Sequence, residues 1–203
     1  MDNEADLFVG GINPAEPAAR LASLPGMQWA KQWSHDGRFM LYAQRDSATK
    51  TSLWALPLDG ERKPFVLVDS PFSNDEPQLS SDGRWLAYVS NESGRYEVYL
   101  QPFGRTGERV RLSNGGGGQP KWRADAQELF YVTPDGTIMS VPVGLGEPGK
   151  PRALFHTPLQ PAPMLDEYAV TPDGQRFLII SPERSTVSAR LSVLSNWPAL
   201  LPQ

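Results

Sequence analysis

The chain has 203 residues, of which 39% are hydrophobic and 21% are charged, a composition typical of folded globular proteins. Its 19 basic and 23 acidic residues give a net charge of −4, which argues against a nucleic-acid partner. The absence of cysteine excludes disulfides, thiolate nucleophiles and cysteine-ligated zinc, and the 20 prolines and 18 glycines leave little room for long helices.

The N-terminal segment MDNEADLFVGG is acidic, whereas a signal peptide begins with a basic segment followed by an apolar one. No apolar run approaches the roughly 18 residues of a membrane-spanning helix. The sequence as given therefore predicts no export signal and no membrane contact by this chain, and nothing in it assigns a compartment.

Four segments of the sequence align with one another: KQWSHDGRFMLY from Lys31, PQLSSDGRWLAY from Pro77, PKWRADAQELFY from Pro120 and YAVTPDGQRFLI from Tyr168. Each pattern predicts a strand, a turn and a second strand. The turn aspartates lie 46, 43 and 48 residues apart, at Asp36, Asp82, Asp125 and Asp173. This period is close to the roughly 40–45 residues of a four-stranded propeller blade.

The second repeat shows the prediction in detail. Strands are predicted from Glu76 to Ser80, from Arg84 to Ser90 and from Tyr96 to Gln101. An outer, half-solvated strand follows from Glu108 to Leu112, where charges alternate with apolar residues. The glycine run from Gly115 to Gly118 then leads to the next repeat.

The two ends of the chain predict incomplete blades. Asp6 to Gly11 and Ala19 to Ser23 have the pattern of the third and fourth strands of a blade. The last repeat supplies three strands, namely Glu167 to Thr171, Gln175 to Ser181 and Ala189 to Leu194. The predicted fold class is therefore all-β, a β-propeller of four-stranded antiparallel blades with about four blades in this chain, as part of a larger or a dimeric ring. The predicted units of this single domain are 1–24, 25–70, 71–114, 115–160 and 161–203.

The run from Trp33 to Val143 closely resembles the propeller that follows bacterial serine/threonine kinase domains, and FLII followed by LSVLSNW resembles the end of those proteins. The resemblance implies a TolB-like, WD-type propeller that serves sensing or protein contact. It also implies a propeller separated from the kinase by a membrane span and often extracytoplasmic. The chain has no Gly-rich loop, His-Arg-Asp or Asp-Phe-Gly motif, so no kinase activity is expected of it.

Other candidate chemistry is weak. No G-x-S-x-G elbow occurs, and His35 and His156 fit no triad order. The run from Gly115 to Gly118 lacks the Gly-Lys-Ser/Thr of a phosphate loop and is predicted to be an inter-blade loop. No catalytic residue, metal ligand or cofactor is predicted.

Two repeated residue types have structural explanations. Each turn aspartate precedes glycine or alanine, so these residues are predicted to form turns and not to bind a metal. Trp33, Trp85 and Trp122 are taken to occupy equivalent strand positions, which favours packing between blades over the stacking of bases or sugars.

The predicted binding site lies where the innermost strands begin, because propellers usually bind ligands at the mouth of the central channel. Four carboxylates there would favour a cation or a basic peptide, and the alternative is a solvated polar rim without a ligand. The mouth residues are Gln28, Trp29, Asp75, Glu76, Gln119, Asp166 and Glu167.

The predicted function is a non-enzymatic binding or scaffolding module with a protein or peptide partner, the C-terminal part of a sensor or kinase-linked protein. The alternative is an accessory propeller that gates a serine hydrolase or peptidase domain absent from this chain. A homodimer is also predicted, in which Ala19 to Ser23 of each copy completes the last blade of the other. Closure within one chain would give a four-bladed ring, whose centre the three tryptophans are expected to crowd.

Overall fold

The computed structural model describes residues 7–11, 15, 17–22, 26–45, 50–105, 107–144, 147–159, 165–181 and 190–195. Within these ranges the chain forms strands joined by turns and no helix, which confirms the all-β prediction. The same residues therefore include no helix long and apolar enough to cross a membrane.

Three four-stranded sheets form the centre of the molecule. Each sheet is an antiparallel meander in which strands that follow one another in the chain are hydrogen-bonded neighbours. The first sheet contains β3 (Met27–Trp33), β4 (Phe39–Arg45), β5 (Thr51–Pro57) and β6 (Phe65–Val68). The second contains β7 (Asn74–Leu79), β8 (Trp85–Ser90), β9 (Glu97–Pro102) and β10 (Val110–Arg111). The third contains β11 (Gly118–Trp122), β12 (Glu128–Val132), β13 (Thr137–Pro142) and β14 (Arg152–His156).

Two smaller sheets lie before and after these three. The N-terminal sheet pairs β1 (Leu7–Val9) with β2 (Ala19–Ala22), as expected for neighbouring strands of one blade. The C-terminal sheet contains β15 (Tyr168–Val170), β16 (Arg176–Ser181) and β17 (Arg190–Ser195). The described strands do not close into a complete ring, so the fold is part of a propeller.

The outer strand of the second sheet is shorter than the predicted Glu108 to Leu112. Only Val110 and Arg111 pair with β9 as a strand. Beyond them the Ser113 hydroxyl accepts the N–H of Val98 at 2.8 Å, so a side chain takes the place of the next ladder bond.

The core lies between neighbouring sheets, because side chains alternate between the two faces of each strand. In β8, Leu86 and Tyr88 pack toward the first sheet, whereas Ala87 and Val89 pack toward the third. Burying a large apolar side chain of this kind stabilises the fold by about 1.5–3 kcal/mol. The sheets therefore stack face to face in chain order.

The turn aspartates hold the hairpins between the first two strands of each repeat. The Ser34 hydroxyl donates to Asp36 Oδ1 at 2.7 Å, and the Arg38 N–H donates to the same oxygen at 3.0 Å. The backbone contact recurs at the other three turn aspartates, which confirms that they form turns. In the third sheet Ala126 adopts φ of 60°, the left-handed conformation that glycine adopts in the other repeats.

The expected equivalence of the three tryptophans is wrong. Trp33 and Trp122 lie on the first strands β3 and β11, whereas Trp85 begins the second strand β8. Trp33 is 48% exposed, while Trp85 and Trp122 pack against the core between the second and third sheets. The three residues therefore do not crowd a common centre, and that argument for a dimer falls.

Candidate binding site on the innermost strands

The innermost strands of the second and third sheets share an unusual backbone feature. Glu76 and Gln119 adopt φ of 53° and 54°, each precedes a proline, and each lies at a break in the strand register. The left-handed conformation costs a non-glycine residue roughly 1–2 kcal/mol. Both residues use this conformation to make contacts with the next sheet.

Glu76, Gln119 and Glu167 form a chain of hydrogen bonds that we call the inner-strand relay. The N–H of Gln119 donates to Glu76 Oε2 at 2.5 Å, and the N–H of Glu167 donates to Gln119 Oε1 at 2.9 Å. In return, Gln119 Nε2 donates to Glu167 Oε2 at 2.8 Å. The relay thus joins three successive sheets at the ends of their innermost strands.

Tyr168 extends the relay. Its hydroxyl donates to the carbonyl oxygen of Gln119 at 2.8 Å. Burial raises the pKa of Tyr168 well above its ordinary value, and the negative charges of Glu76 and Asp166 act in the same direction. The phenol therefore stays a neutral donor at physiological pH.

Two lysines accompany the carboxylates, and the sequence prediction missed both. Lys31 Nζ lies 2.7 Å from Asp75 Oδ1, and the Asp75 side chain is only 7% exposed. Lys121 Nζ lies 2.5 Å from Asp166 Oδ1, and the Asp166 side chain is 76% exposed. Both lysines stand on innermost strands, which is the one signal in the sequence that could have pointed to them. They offset part of the negative charge expected at the mouth.

Hydrogen bonds join four of the seven predicted mouth residues to one another, and a fifth, Asp166, precedes one of them in the sequence. Asp75 accepts the N–H of Glu76 at 2.7 Å, Glu76 begins the relay, and Asp166 adjoins its last member. The other two, Gln28 and Trp29, lie on β3 and make different contacts. Gln28 is buried and donates to the carbonyl of Gly26 at 2.9 Å, while Trp29 packs against the core between the first and second sheets. That the seven residues bind a ligand stays a prediction.

A cleft of about 550 Å³ runs along the innermost strands. Residues of all four successive repeats line it, and Asp166 and Glu167 belong to its wall. Its polar side chains include Gln32, Gln78 and Lys121, and its apolar ones include Trp122, Leu178 and Ile180. In the described part of the chain, no three carboxylate or imidazole groups lie close enough together to hold a metal ion. The surface is therefore suited to mixed polar and apolar contacts.

The glycine run binds an anion that belongs to the protein itself. The N–H groups of Gly115 and Gly116 both donate to Glu97 Oε1 at 2.9 Å, and the Ser113 hydroxyl donates to the other oxygen of that carboxylate. Glu97 is 1% exposed. Burial, assisted by this carboxylate, raises the pKa of Tyr131 to about 12. The backbone N–H groups of this loop thus bind an internal carboxylate and not a phosphate.

No protein-family model matches the chain, and no curated protein matches its sequence. Solved structures do share its architecture. TolB from Acinetobacter baumannii superposes with a TM-score of 0.66 over 91% of this chain and 45% of that chain, at 14% identity. The fold is a TolB-like β-propeller.

Further structures place this propeller among related folds. A puromycin-hydrolysing peptidase of Mycobacterium tuberculosis matches with a TM-score of 0.63 at 23% identity, over 87% of this chain and 32% of that one. The Cps50 (Swd1) β-propeller domain of Myceliophteria thermophila matches with a TM-score of 0.54 at 11% identity, over 88% and 60%. The chain spans less than half of the TolB and peptidase structures. Similarity at these identities shows the propeller fold alone.

Proposed function

We propose that this propeller is a non-enzymatic binding module whose inner cleft holds a segment of a protein or peptide partner. The observation that carries the proposal is the cleft itself, because it is built in series by the innermost strands of four repeats. Propellers commonly bind partners where such strands converge. The resemblance to kinase-linked propellers supports a module at the C-terminal part of a sensor or kinase-linked protein.

The mouth residues have two roles in this proposal. Asp166 presents an exposed carboxylate at the cleft and attracts a basic group of the partner, and Glu167 lines the same wall. Gln28, Trp29, Asp75, Glu76 and Gln119 hold the strands that shape the mouth. Because Asp166 is exposed, its attraction is screened by salt beyond a Debye length of about 8 Å at physiological ionic strength.

A peptide-display selection on the immobilised chain, followed by fluorescence anisotropy with the selected peptides, tests the proposal. Asp166→Asn and Gln78→Ala should each weaken binding several-fold, and added salt should weaken it further. Lys63→Glu changes an exposed residue outside the cleft and serves as the control. Selected peptides that bind Asp166→Asn and Gln78→Ala as tightly as they bind the original protein would overturn the proposal.

The alternative function is that of an accessory propeller that gates a hydrolase, and the similarity to the mycobacterial peptidase favours it. Its discriminating test is the coding sequence next to this chain. A kinase domain there supports the first function, and a G-x-S-x-G hydrolase supports the second. For the chain alone we expect no turnover of ester, peptide or ATP substrates. Activity that survives repurification and is lost in His35→Ala or His156→Ala would contradict this expectation.

A further inference from the structure

The outer edge of the second sheet differs from the edges of the other two complete sheets. Its outer strand β10 has two residues, whereas the outer strands β6 and β14 have four and five. β10 is the last strand of its sheet, so one of its sides has no neighbour among the strands that the structure describes. This edge lies on the outer rim, away from the inner cleft.

The backbone of β10 presents hydrogen-bonding groups on that open side. The N–H of Leu112 donates to the carbonyl of Val98 at 2.8 Å, so Leu112 faces β9. In an antiparallel pair the inward and outward directions alternate along the strand. The N–H and carbonyl of Arg111 therefore point away from β9, toward the open edge.

A groove lies on each face of this edge. The first, of about 480 Å³, has an apolar part that includes Trp85, Leu100, Val110 and Pro148, and Glu108, Arg109 and Glu147 also line it. The second, of about 600 Å³, is lined by Phe72, Glu92, Tyr99, Arg109 and Arg111, among others. The alternation of a strand places Val110 on one face and Arg111 on the other, whereas Arg109 lines both grooves.

Two arginines line the second groove and differ in their partners. Arg109 donates to both oxygens of Glu92, at 3.1 and 2.6 Å, so its guanidinium is already paired. Arg111 is exposed and forms no salt bridge with any residue that the structure describes. Among the residues described, the edge thus offers an arginine without a salt bridge on one face. On the other face it offers the apolar part of a groove that Glu108 and Glu147 also line.

We propose that β10 is a docking edge for an extended segment of another protein in which apolar and acidic residues alternate. The segment adds to the sheet as a further strand through the outward backbone groups of Arg111. Its apolar side chains enter the groove beside Trp85 and Val110, and its acidic side chains meet Arg111. The arginines also discourage indiscriminate pairing at this edge, because they repel basic strands. This site is separate from the inner cleft.

The test uses two fluorescein-labelled peptides of equal length on the full chain. One peptide alternates valine with glutamate, and the other alternates valine with lysine. Fluorescence anisotropy should show at least tenfold tighter binding of the glutamate peptide. Arg111→Ala should weaken it several-fold, and Arg111→Glu should reverse the preference between the two peptides. Arg111→Pro should weaken binding more than Arg111→Ala, because proline also removes the outward N–H.

Matched controls separate docking from other causes. Lys63→Ala removes an exposed cation elsewhere and should leave binding unchanged. If the circular dichroism spectrum shows that Arg111→Pro disturbs the fold, the peptide preference of Arg111→Glu decides the test. Equal binding of the two peptides, or binding unaffected by both Arg111→Ala and Arg111→Glu, would overturn the proposal. Binding that is lost in Asp166→Asn and kept in the Arg111 variants would assign the peptide to the cleft and also overturn it.

Discussion

Replacing Glu97 tests whether its buried carboxylate holds the inter-blade loop. Glu97→Ala leaves three donors without an acceptor, namely the Ser113 hydroxyl and the N–H groups of Gly115 and Gly116. A buried donor without a partner costs about 1–3 kcal/mol. Because the loop can partly relax, we expect a total loss of about 3–5 kcal/mol, a large part of the roughly 5–15 kcal/mol that stabilises a typical domain.

The conservative variant refines the test. Glu97→Gln keeps one oxygen for the two glycine N–H groups, but its NH2 group faces the Ser113 hydroxyl. In the original protein that hydroxyl accepts the N–H of Val98 and donates its proton to Glu97. In the variant it can accept a hydrogen bond from the amide, but its own proton then has no acceptor. We expect Glu97→Gln to cost about 1–2 kcal/mol, less than the alanine variant.

Urea denaturation followed by the fluorescence of the 6 tryptophans measures both losses. Glu61→Ala removes an exposed carboxylate in a turn and should change the free energy of unfolding by less than about 0.5 kcal/mol. A loss below about 1 kcal/mol for Glu97→Ala, with an unchanged denaturant slope, would refute the role of this carboxylate.

Three further predictions concern the relay, the turns and the ends of the chain. In urea denaturation, Gln119→Ala should have a free energy of unfolding about 1 kcal/mol lower than that of Gln119→Gly, because only glycine relieves the left-handed φ of 54°. Equal stability of the two variants would contradict backbone strain at this position. A hydrogen bond from Thr171 lowers the pKa of Asp173 below its ordinary 3.8, so this turn stabilises the fold above that pH and loses the effect as the pH falls. Asp173→Asn should therefore flatten the acid limb of unfolding free energy against pH, and an unaltered limb would exclude the turn as its source. Deleting Met1 to Leu24 removes β1 and β2. If two copies exchange strands, the deletion should abolish the dimer and promote aggregation. Light scattering that shows a soluble monomer before and after the deletion would refute the exchange.

The sequence predicted the strands well because their signals are local. Each Asp turn stands between two alternating apolar segments, and residues two positions apart in sequence make its hydrogen bonds. The predicted pairing of Asp6 to Gly11 with Ala19 to Ser23 is confirmed for the same reason, since β1 and β2 lie in these segments. The one outer strand that is shorter than predicted ends where the Ser113 side chain replaces a backbone partner.

Local sequence patterns could not predict the contacts between residues at the mouth. A glutamate or glutamine with positive φ goes against its own preference, so neither Glu76 nor Gln119 could be predicted at a register break. The partners Lys31 and Asp75 lie in different sheets, and their contact depends on how those sheets stack. Glu97 was missed because a glutamate is almost never buried unless it is paired, and its partners lie 16 to 19 residues away.

The inner-strand relay limits which sheet could be duplicated to give a propeller with more blades. A tandem copy of β11–β14 would place the side chain of one Gln119 opposite the backbone of another, and an amide can both donate and accept there. A tandem copy of β7–β10 would place a Glu76 carboxylate opposite the backbone N–H of a second Glu76, and that N–H already donates to Asp75. The Glu76 carboxylate of one copy and the Asp75 carboxylate of the next would then compete for that single N–H and repel each other. The third sheet is therefore the better unit for building a longer array, and the second tolerates a copy of itself poorly.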